Sequence, residues 1–159
     1  MTIGPSQVLE AARHRPIAAI KSQPEDWRVY EYLDRPMANH GEHLYLYVEK
    51  RNLNTATVAE ILQNHFAVRS QDLGYCGLKD KHGVTRQWFS VTTAKDSPPI
   101  GQDLDASTCP GQYLRCLQAA RHTHKLRRGS HARNDFIIAL RGDLAQLLVT
   151  APQLDRPFA

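Results

Sequence analysis

Residues 42–66 read EHLYLYVEKRNLNTATVAEILQNHF, and the apolar period changes inside this stretch. Over 42–50 the period is two. Leu44, Leu46 and Val48 alternate with Tyr45, Tyr47 and Glu49, which predicts a half-buried strand with the two sets on opposite faces. Tyr45 and Tyr47 are then expected as exposed aromatics of the outer face. Over 54–66 the period becomes 3.6. Val58, Ile61, Leu62 and Phe66 fall on one side of a predicted helix. Thr57 followed three residues later by Glu60 has the pattern of a capping box, with Asn54 and Thr55 as alternative caps.

The segments around this unit are mostly strand-like. WRVYEYL (27–33), LGYCGL (73–78), TRQWFSVTT (85–93) and DFIIALRG (135–142) are rich in β-branched and aromatic residues. Pro and Gly mark 34–42 and 95–111 as loops. QYLRCLQAARH (112–122) suits either a helix, with Tyr113, Leu114, Leu117 and Ala120 on one face, or a strand. A short helix fits 6–14, and a second fits 143–154, from an Asp143 cap to a break at Pro152. Strands clustered with few helices between them predict an α+β domain with a mixed, largely antiparallel sheet, not a doubly wound parallel one. Residues 1–16 read as an N-terminal extension to a domain that begins at residue 17.

The chain has 159 residues, the size of one domain, with 42% hydrophobic and 23% charged residues. Its net charge of +4 leans toward an anionic partner. The three cysteines, Cys76, Cys109 and Cys116, form no CxxC pair, which predicts a reduced, cytoplasmic protein. No apolar run is long enough for a membrane span, and the first residues lack a signal-peptide core.

Two stretches carry chemistry. RHTHKLRRGSHAR (121–133) holds Arg121, Lys125, Arg127, Arg128 and Arg133 with three histidines and no acid. Guanidinium and ammonium groups in that density predict an anion site, with Lys125, Arg127, Arg128 and Arg133 on phosphate oxygens. His122 and His124, with Cys109 and Cys116 upstream, fit no zinc spacing, and the adjacent cations would repel a divalent ion, so no metal is expected. The second stretch, GLKDKHGVTRQWFSV (77–91), sets one carboxylate, Asp80, among Lys79, Lys81, His82 and Arg86. Asp80 could be a turn residue, an ion-pair partner or a nucleophile, and local chemistry leaves the three open. Trp88 and Phe89 read as core residues of an alternating strand, and Cys76 as a small buried residue.

Four segments resemble, in order and spacing, the TruD family of tRNA pseudouridine synthases. GLKDKHGVTRQW resembles the family pattern G-x-K-D-[KR]-H-[AG]-V-T-x-Q-W. IKSQPEDWRVYE (20–31) is similar to K-x-x-P-E-D-F-x-V-x-E. Residues 41–62 are similar to G-E-H-x-x-x-x-x-x-K-x-x-x-N-T, and residues 120–142 to R-H-x-x-K-L-R-x-G-x-x-x-x-N-x-F. The resemblance implies isomerisation of a uridine in the D-arm region of tRNA, uridine-13, with no cofactor and no metal. It implies that Asp80 is the nucleophile, attacking the sugar or the base while the glycosidic bond breaks. It makes Lys21 the cation beside that aspartate and puts Asn134 and Phe136 in the uridine pocket. Trp27 stands where the family pattern has Phe, as a further substrate contact. The family's later motif, N-Y-F-G-x-Q-R-F-G, and its inserted domain have no counterpart here. Residues 17–159 therefore resemble the N-terminal half of the family's catalytic fold. This implies tRNA as partner, and either the missing C-terminal half or self-association through open sheet edges. The alternative function is that of a truncated, catalytically inactive RNA-binding remnant.

Overall fold

The computed structural model describes residues 18–104 and 109–142. The expected extension over 1–16 and the helices over 6–14 and 143–154 lie outside the described residues. Within them the chain runs β1 (Trp27–Tyr32), β2 (His43–Arg51), α1 (Thr55–Phe66), β3 (Leu73–Tyr75), β4 (Val84–Thr92), β5 (Tyr113–His122) and β6 (Arg133–Ile138). The strand order is β5-β2-β4-β1-β6, with β3 also paired to β4. β1 and β4 are parallel, and every other described pair is antiparallel. The chain thus has the α+β class and mixed sheet that its clustered strands predict.

β2 pairs along its whole length with both β4 and β5. Leu44, Leu46 and Val48 pack with Phe89 and Val91 of β4 and Leu114 and Cys116 of β5 against Val58, Leu62 and Phe66 of α1. Burying each such side chain contributes about 1.5–3 kcal/mol. The opposite face departs from the expectation of a half-buried strand. Tyr45 is 0% exposed and packs with Trp88, Cys76 and Leu126, with Tyr47 partly buried beside them. The cover comes from the basic segment after β5, which folds back over this face. The Tyr45 hydroxyl donates to the His124 carbonyl at 2.8 Å, and the Leu126 N–H donates to Ser90 Oγ at 2.9 Å. Tyr47 stacks on Trp88 with ring centroids 4.8 Å apart.

The ambiguous segment 112–122 is strand β5, and a bulge explains its pattern. Its register against β2 slips between Tyr47 and Val48, where Gln118 and Cys116 become successive partners and Leu117 is left over. An extra residue shifts side-chain parity by one. The residues packed on the α1 side are therefore Leu114, Cys116 and Ala119, a spacing that mimics a helical face. Residues 100–104 of the 95–111 loop run along this edge. Gly101 N–H donates to the Cys116 carbonyl and Leu104 N–H to the Leu114 carbonyl, at 2.8 and 2.7 Å.

α1 starts at Asn54, whose side chain accepts from the Thr57 N–H at 2.7 Å, and it ends at Ala67 in the left-handed region. Asn54 thus caps the helix, and Thr55 is free for a different task.

Candidate active site

Asp80 lies in the loop between β3 and β4, and buried polar side chains hold that loop from beneath. Thr55 Oγ1 accepts the Lys79 N–H at 2.9 Å and donates to Gln87 Oε1 at 3.1 Å. Gln87 Nε2 in turn donates to the Gly77 carbonyl at 3.2 Å. The Lys79 ammonium pairs with Glu31 at 2.6 Å, with side chains only 5% and 0% exposed. The Lys50 ammonium, fully buried, donates to the carbonyls of Leu53 and of Asp80 itself, at 2.6 and 2.5 Å. Burial pushes the Lys50 pKa down to about 8. A buried charge is tolerated only when its donors are satisfied, so this lysine fixes the Asp80 backbone as it satisfies itself.

The Asp80 carboxylate, by contrast, faces out and is 43% exposed. The Lys21 ammonium stands 3.6 Å from Oδ1, and the Trp27 indole N–H donates to Oδ2 at 3.0 Å. Lys21 also lies over the Trp27 ring, 3.8 Å from its centroid. Lys21 sits at φ 56°, in the left-handed region, where a non-glycine residue costs on the order of 1–3 kcal/mol. A strap holds it there. Ala19 and Arg141 exchange backbone hydrogen bonds of 2.8 and 2.9 Å, and the Arg141 guanidinium grips Asp26 through contacts of 2.8 and 2.7 Å. Arg141 holds the Asp26 carboxyl below its ordinary range. Lys21 and His82 line a pocket of about 250 Å³ with Ser22, Gln23, Pro24 and Asn52.

Sheet register brings the remaining expected pocket residues to the same region. Val29 pairs with Phe136 and Glu31 with Asn134. Paired residues share a face, and through Val29–Thr85 and Thr85–Lys50 it is the face that carries α1. Phe136 meets the Trp27 ring edge-on, with centroids 6.1 Å apart and planes at 70°. It is 56% exposed. Asn134 Oδ1 has no hydrogen-bond partner among the described residues. Asp80, Lys21, Trp27 and Phe136 therefore form one linked cluster, with Asn134 two residues from Phe136 on the same face.

The basic stretch divides into three parts. Arg121 donates to the carbonyls of Thr93 and Lys95, a structural use. Lys125, Arg127 and Arg128 line a groove of about 510 Å³ with Ser70, Leu73, Gly74, Tyr75 and Leu126. Within it Lys125 donates to the Gln71 carbonyl, while the Arg127 and Arg128 side chains have no partner among the described residues. Arg133 stands apart on β6, paired with Asp135 at 3.0 Å and stacked over Tyr32. Cys116 lies in the α1-side core, and His122 stacks on Tyr45 of the opposite face. Among the described residues no group of three or more His, Cys, Asp or Glu side chains could hold a metal, and no helix is long and apolar enough to cross a membrane.

Sequence reasoning missed the holders of the loop: Lys50, Glu31, Thr55 and Gln87. Parity carried a usable signal. Lys50 continues the inward series Leu44, Leu46, Val48, and Glu31 follows Val29 on its face, so each is a polar group aimed at the core.

Known proteins share this chain's sequence and fold. The family model "tRNA pseudouridine synthase D (TruD)" matches residues 13–153. A tRNA pseudouridine synthase D of Pseudomonas aeruginosa (strain LESB58) is 41% identical over 139 residues, covering 87% of this chain and 38% of that protein. One from Cellvibrio japonicus is 45% identical over 125 residues, covering 78% of this chain and 36% of that protein. A crystal structure from Methanosarcina mazei, assigned to TruD, shares the fold at a TM-score of 0.59 and 23% identity, over 75% of this chain and 26% of that one. The chain spans well under half the length of the curated relatives it matches. With a family model matched over nearly its whole length, the chain belongs to the TruD family of tRNA pseudouridine synthases.

Proposed function

We propose that this chain carries the nucleophile of a tRNA pseudouridine synthase, and that Asp80 is that nucleophile. The supporting observation is the cluster itself: an exposed carboxylate on a rigid loop, with a cation at 3.6 Å and an indole donor at 3.0 Å. A carboxylate oxygen of Asp80 attacks the sugar or the base of a uridine as the glycosidic C–N bond breaks. The uracil turns and bonds to the ribose through C5, the bond to aspartate breaks to regenerate the carboxylate, and the C5 proton leaves to solvent. Lys21 holds the carboxylate in place from 3.6 Å. Phe136 offers its exposed face for stacking on the uracil, Trp27 borders the same space, and the Asn134 amide reads the edge of the base. Lys125, Arg127, Arg128 and Arg133 bind tRNA phosphates, which offsets the few kcal/mol needed to extrude the uridine. The family relationship supports uridine-13 of the D-arm as the target and the cytoplasm as the site of action.

Release of tritium from [5-³H]uridine-labelled tRNA tests this. The chain is expected to release it, and Asp80→Ala to abolish release. Release that survives Asp80→Ala overturns the nucleophile.

One observation favours a second reading. Phe136, Ile137, Ile138 and Leu140 are exposed by 56, 53, 43 and 52% at the β6 end of the sheet. An apolar edge of that kind invites further polypeptide. On this reading the chain binds tRNA but turns it over only with the remainder of the family's catalytic domain, or pairs with a second copy. Salt-dependent tRNA binding without tritium release, restored by adding that remainder, identifies this case.

A further inference from the structure

We infer that Trp27 is a positioning residue for Asp80, holding Oδ2 through its indole N–H so that Oδ1 is the attacking oxygen. This rests on the reading of Asp80 as nucleophile. The two oxygens of the carboxylate are not equivalent. Oδ2 accepts the indole N–H at 3.0 Å, whereas among the described residues Oδ1 has only the Lys21 ammonium, at the longer distance of 3.6 Å. A hydrogen bond to an ionised acceptor is stronger and more directional than a neutral one, and it restrains rotation of the carboxylate. The same ring holds the second partner, since Lys21 lies 3.8 Å over its face. One side chain thus sets both the carboxylate plane and the cation beside it.

The backbone shows why the indole edge arrives there. β1 begins at Trp27, and its next residue pairs with Val84, where the Asp80 loop ends. Gly83 is pressed against Trp27: a Cβ at Gly83 would lie 2.6 Å from the Trp27 carbonyl and 3.0 Å from ring carbon Cδ1, next to the indole nitrogen. Phe136 braces the ring edge-on from the other side. From beneath, Lys50 holds the Asp80 carbonyl at 2.5 Å. The main chain of Asp80 is therefore fixed by one residue and its carboxylate by another. A phenylalanine at this position would keep the ring face for Lys21 and the edge contact with Phe136, but it has no donor for Oδ2. The indole nitrogen is the part of Trp27 that this arrangement uses.

Two measurements test the inference. The chain has two tryptophans, so ¹⁵N-labelled protein gives two indole N–H signals, and the one lost in Trp27→Phe is that of Trp27. In Asp80→Ala the Trp27 signal is expected to move upfield and exchange faster with solvent, while the Trp88 signal stays. An unmoved Trp27 signal overturns the inference. In single-turnover tritium release, Trp27→Phe is expected to lower the rate constant about 10–100-fold, the scale of a misplaced reacting group, with tRNA affinity within about twofold. Replacing Trp27 by 3-benzothienylalanine, which keeps the bicyclic shape but swaps N–H for sulfur, is expected to give the same loss. Full activity in the isostere, or weaker binding with an unchanged rate, makes Trp27 a base contact and overturns the inference. If the unsubstituted chain releases no tritium, the activity of this chain alone fails at that step, and the indole signal decides whether Trp27 holds the carboxylate.

Discussion

β2 and β6 both carry apolar side chains on both faces, yet they meet opposite fates. β2 is paired on both edges and covered on both faces, by α1 on one side and by the folded-back basic segment on the other. β6 is paired only with β1 among the described strands, and its apolar residues stand in solvent. The other end of the sheet is not left like this, because residues 100–104 bond to the outer edge of β5. The difference separates what makes the domain stable from what makes it useful. The Asp80 loop hangs from the closed half through Lys50, Thr55 and Gln87, while its carboxylate faces the open half, where Trp27 and Phe136 lie. A rigid support and an accessible surface are thus built from adjacent strands.

The sharpest way to break this comparison is in the closed half. Leu62→Ala removes a fully buried side chain from α1 and is expected to cost about 2–5 kcal/mol in denaturant unfolding. Next in size is Lys50→Met, which leaves the buried Leu53 carbonyl without this donor, at about 1–3 kcal/mol, and releases the part-buried Asp80 carbonyl to solvent. Lys50 also predicts a pH signature. Its folded pKa, about 8, lies below the ordinary 10.5, so from pH 8 upward the unfolded chain binds the extra proton and stability rises with pH. Above about pH 9 the trend reverses. Cys76 and Cys116 ionise near 9.0 when unfolded, but burial pushes them up to about 12 and about 11 in the fold. Urea unfolding at stepped pH should show a stability rise between pH 8 and 9 that is absent in Lys50→Met. An equal rise in the variant would mean that Lys50 is not the group responsible.

How much of this was legible follows from which interactions are local. The period change at 42–66 fixes β2 and α1, because periodicity records which side of an element is buried. It could not tell that the Tyr45 face is buried too, since the cover, Leu126 and His124, lies some eighty residues away. β5 stayed ambiguous because a one-residue bulge gives a strand the spacing of a helix face. Asp80 could be singled out as chemical only through family resemblance. Its support comes from Lys50, Glu31 and Thr55 on three other elements, and its exposed contacts come from Lys21 and Trp27 near the start of the chain. Arg121 shares the basic stretch with Lys125, Arg127 and Arg128, but carbonyls of Thr93 and Lys95 already engage it, and Arg133 carries Asp135 as an exposed partner. Charge density in a sequence does not distinguish free cations from paired ones.

Smaller effects sharpen the open half. Asp26→Asn loosens the Arg141 strap that holds Lys21. The folded Asp26 pKa lies below its ordinary 3.8, so this ion pair stabilises the fold above pH 3.8 and is lost as pH falls through the folded value. Asp26→Asn should therefore lower the Tm at pH 7, with the gap from wild type closing in acid. A gap that persists unchanged in acid would assign the loss to packing instead.

The smallest stability effect is expected at Ile137. It pairs with Arg28 and lies on the opposite face of β6 from Phe136, with half its surface exposed. Ile137→Ser changes a half-exposed side chain that belongs to neither core cluster, so stability should change by only about 0.5 kcal/mol. The same substitution takes an apolar group off an unpaired edge, where it would otherwise meet further polypeptide. Sedimentation across a concentration series should then show less self-association in Ile137→Ser than in wild type, at equal Tm. A destabilisation comparable to that of Leu62→Ala would erase the distinction between β2 and β6, because it would place β6 in the core. Equal Tm with lower association means that β6 contributes little to holding this domain together and instead serves as a surface for what covers it.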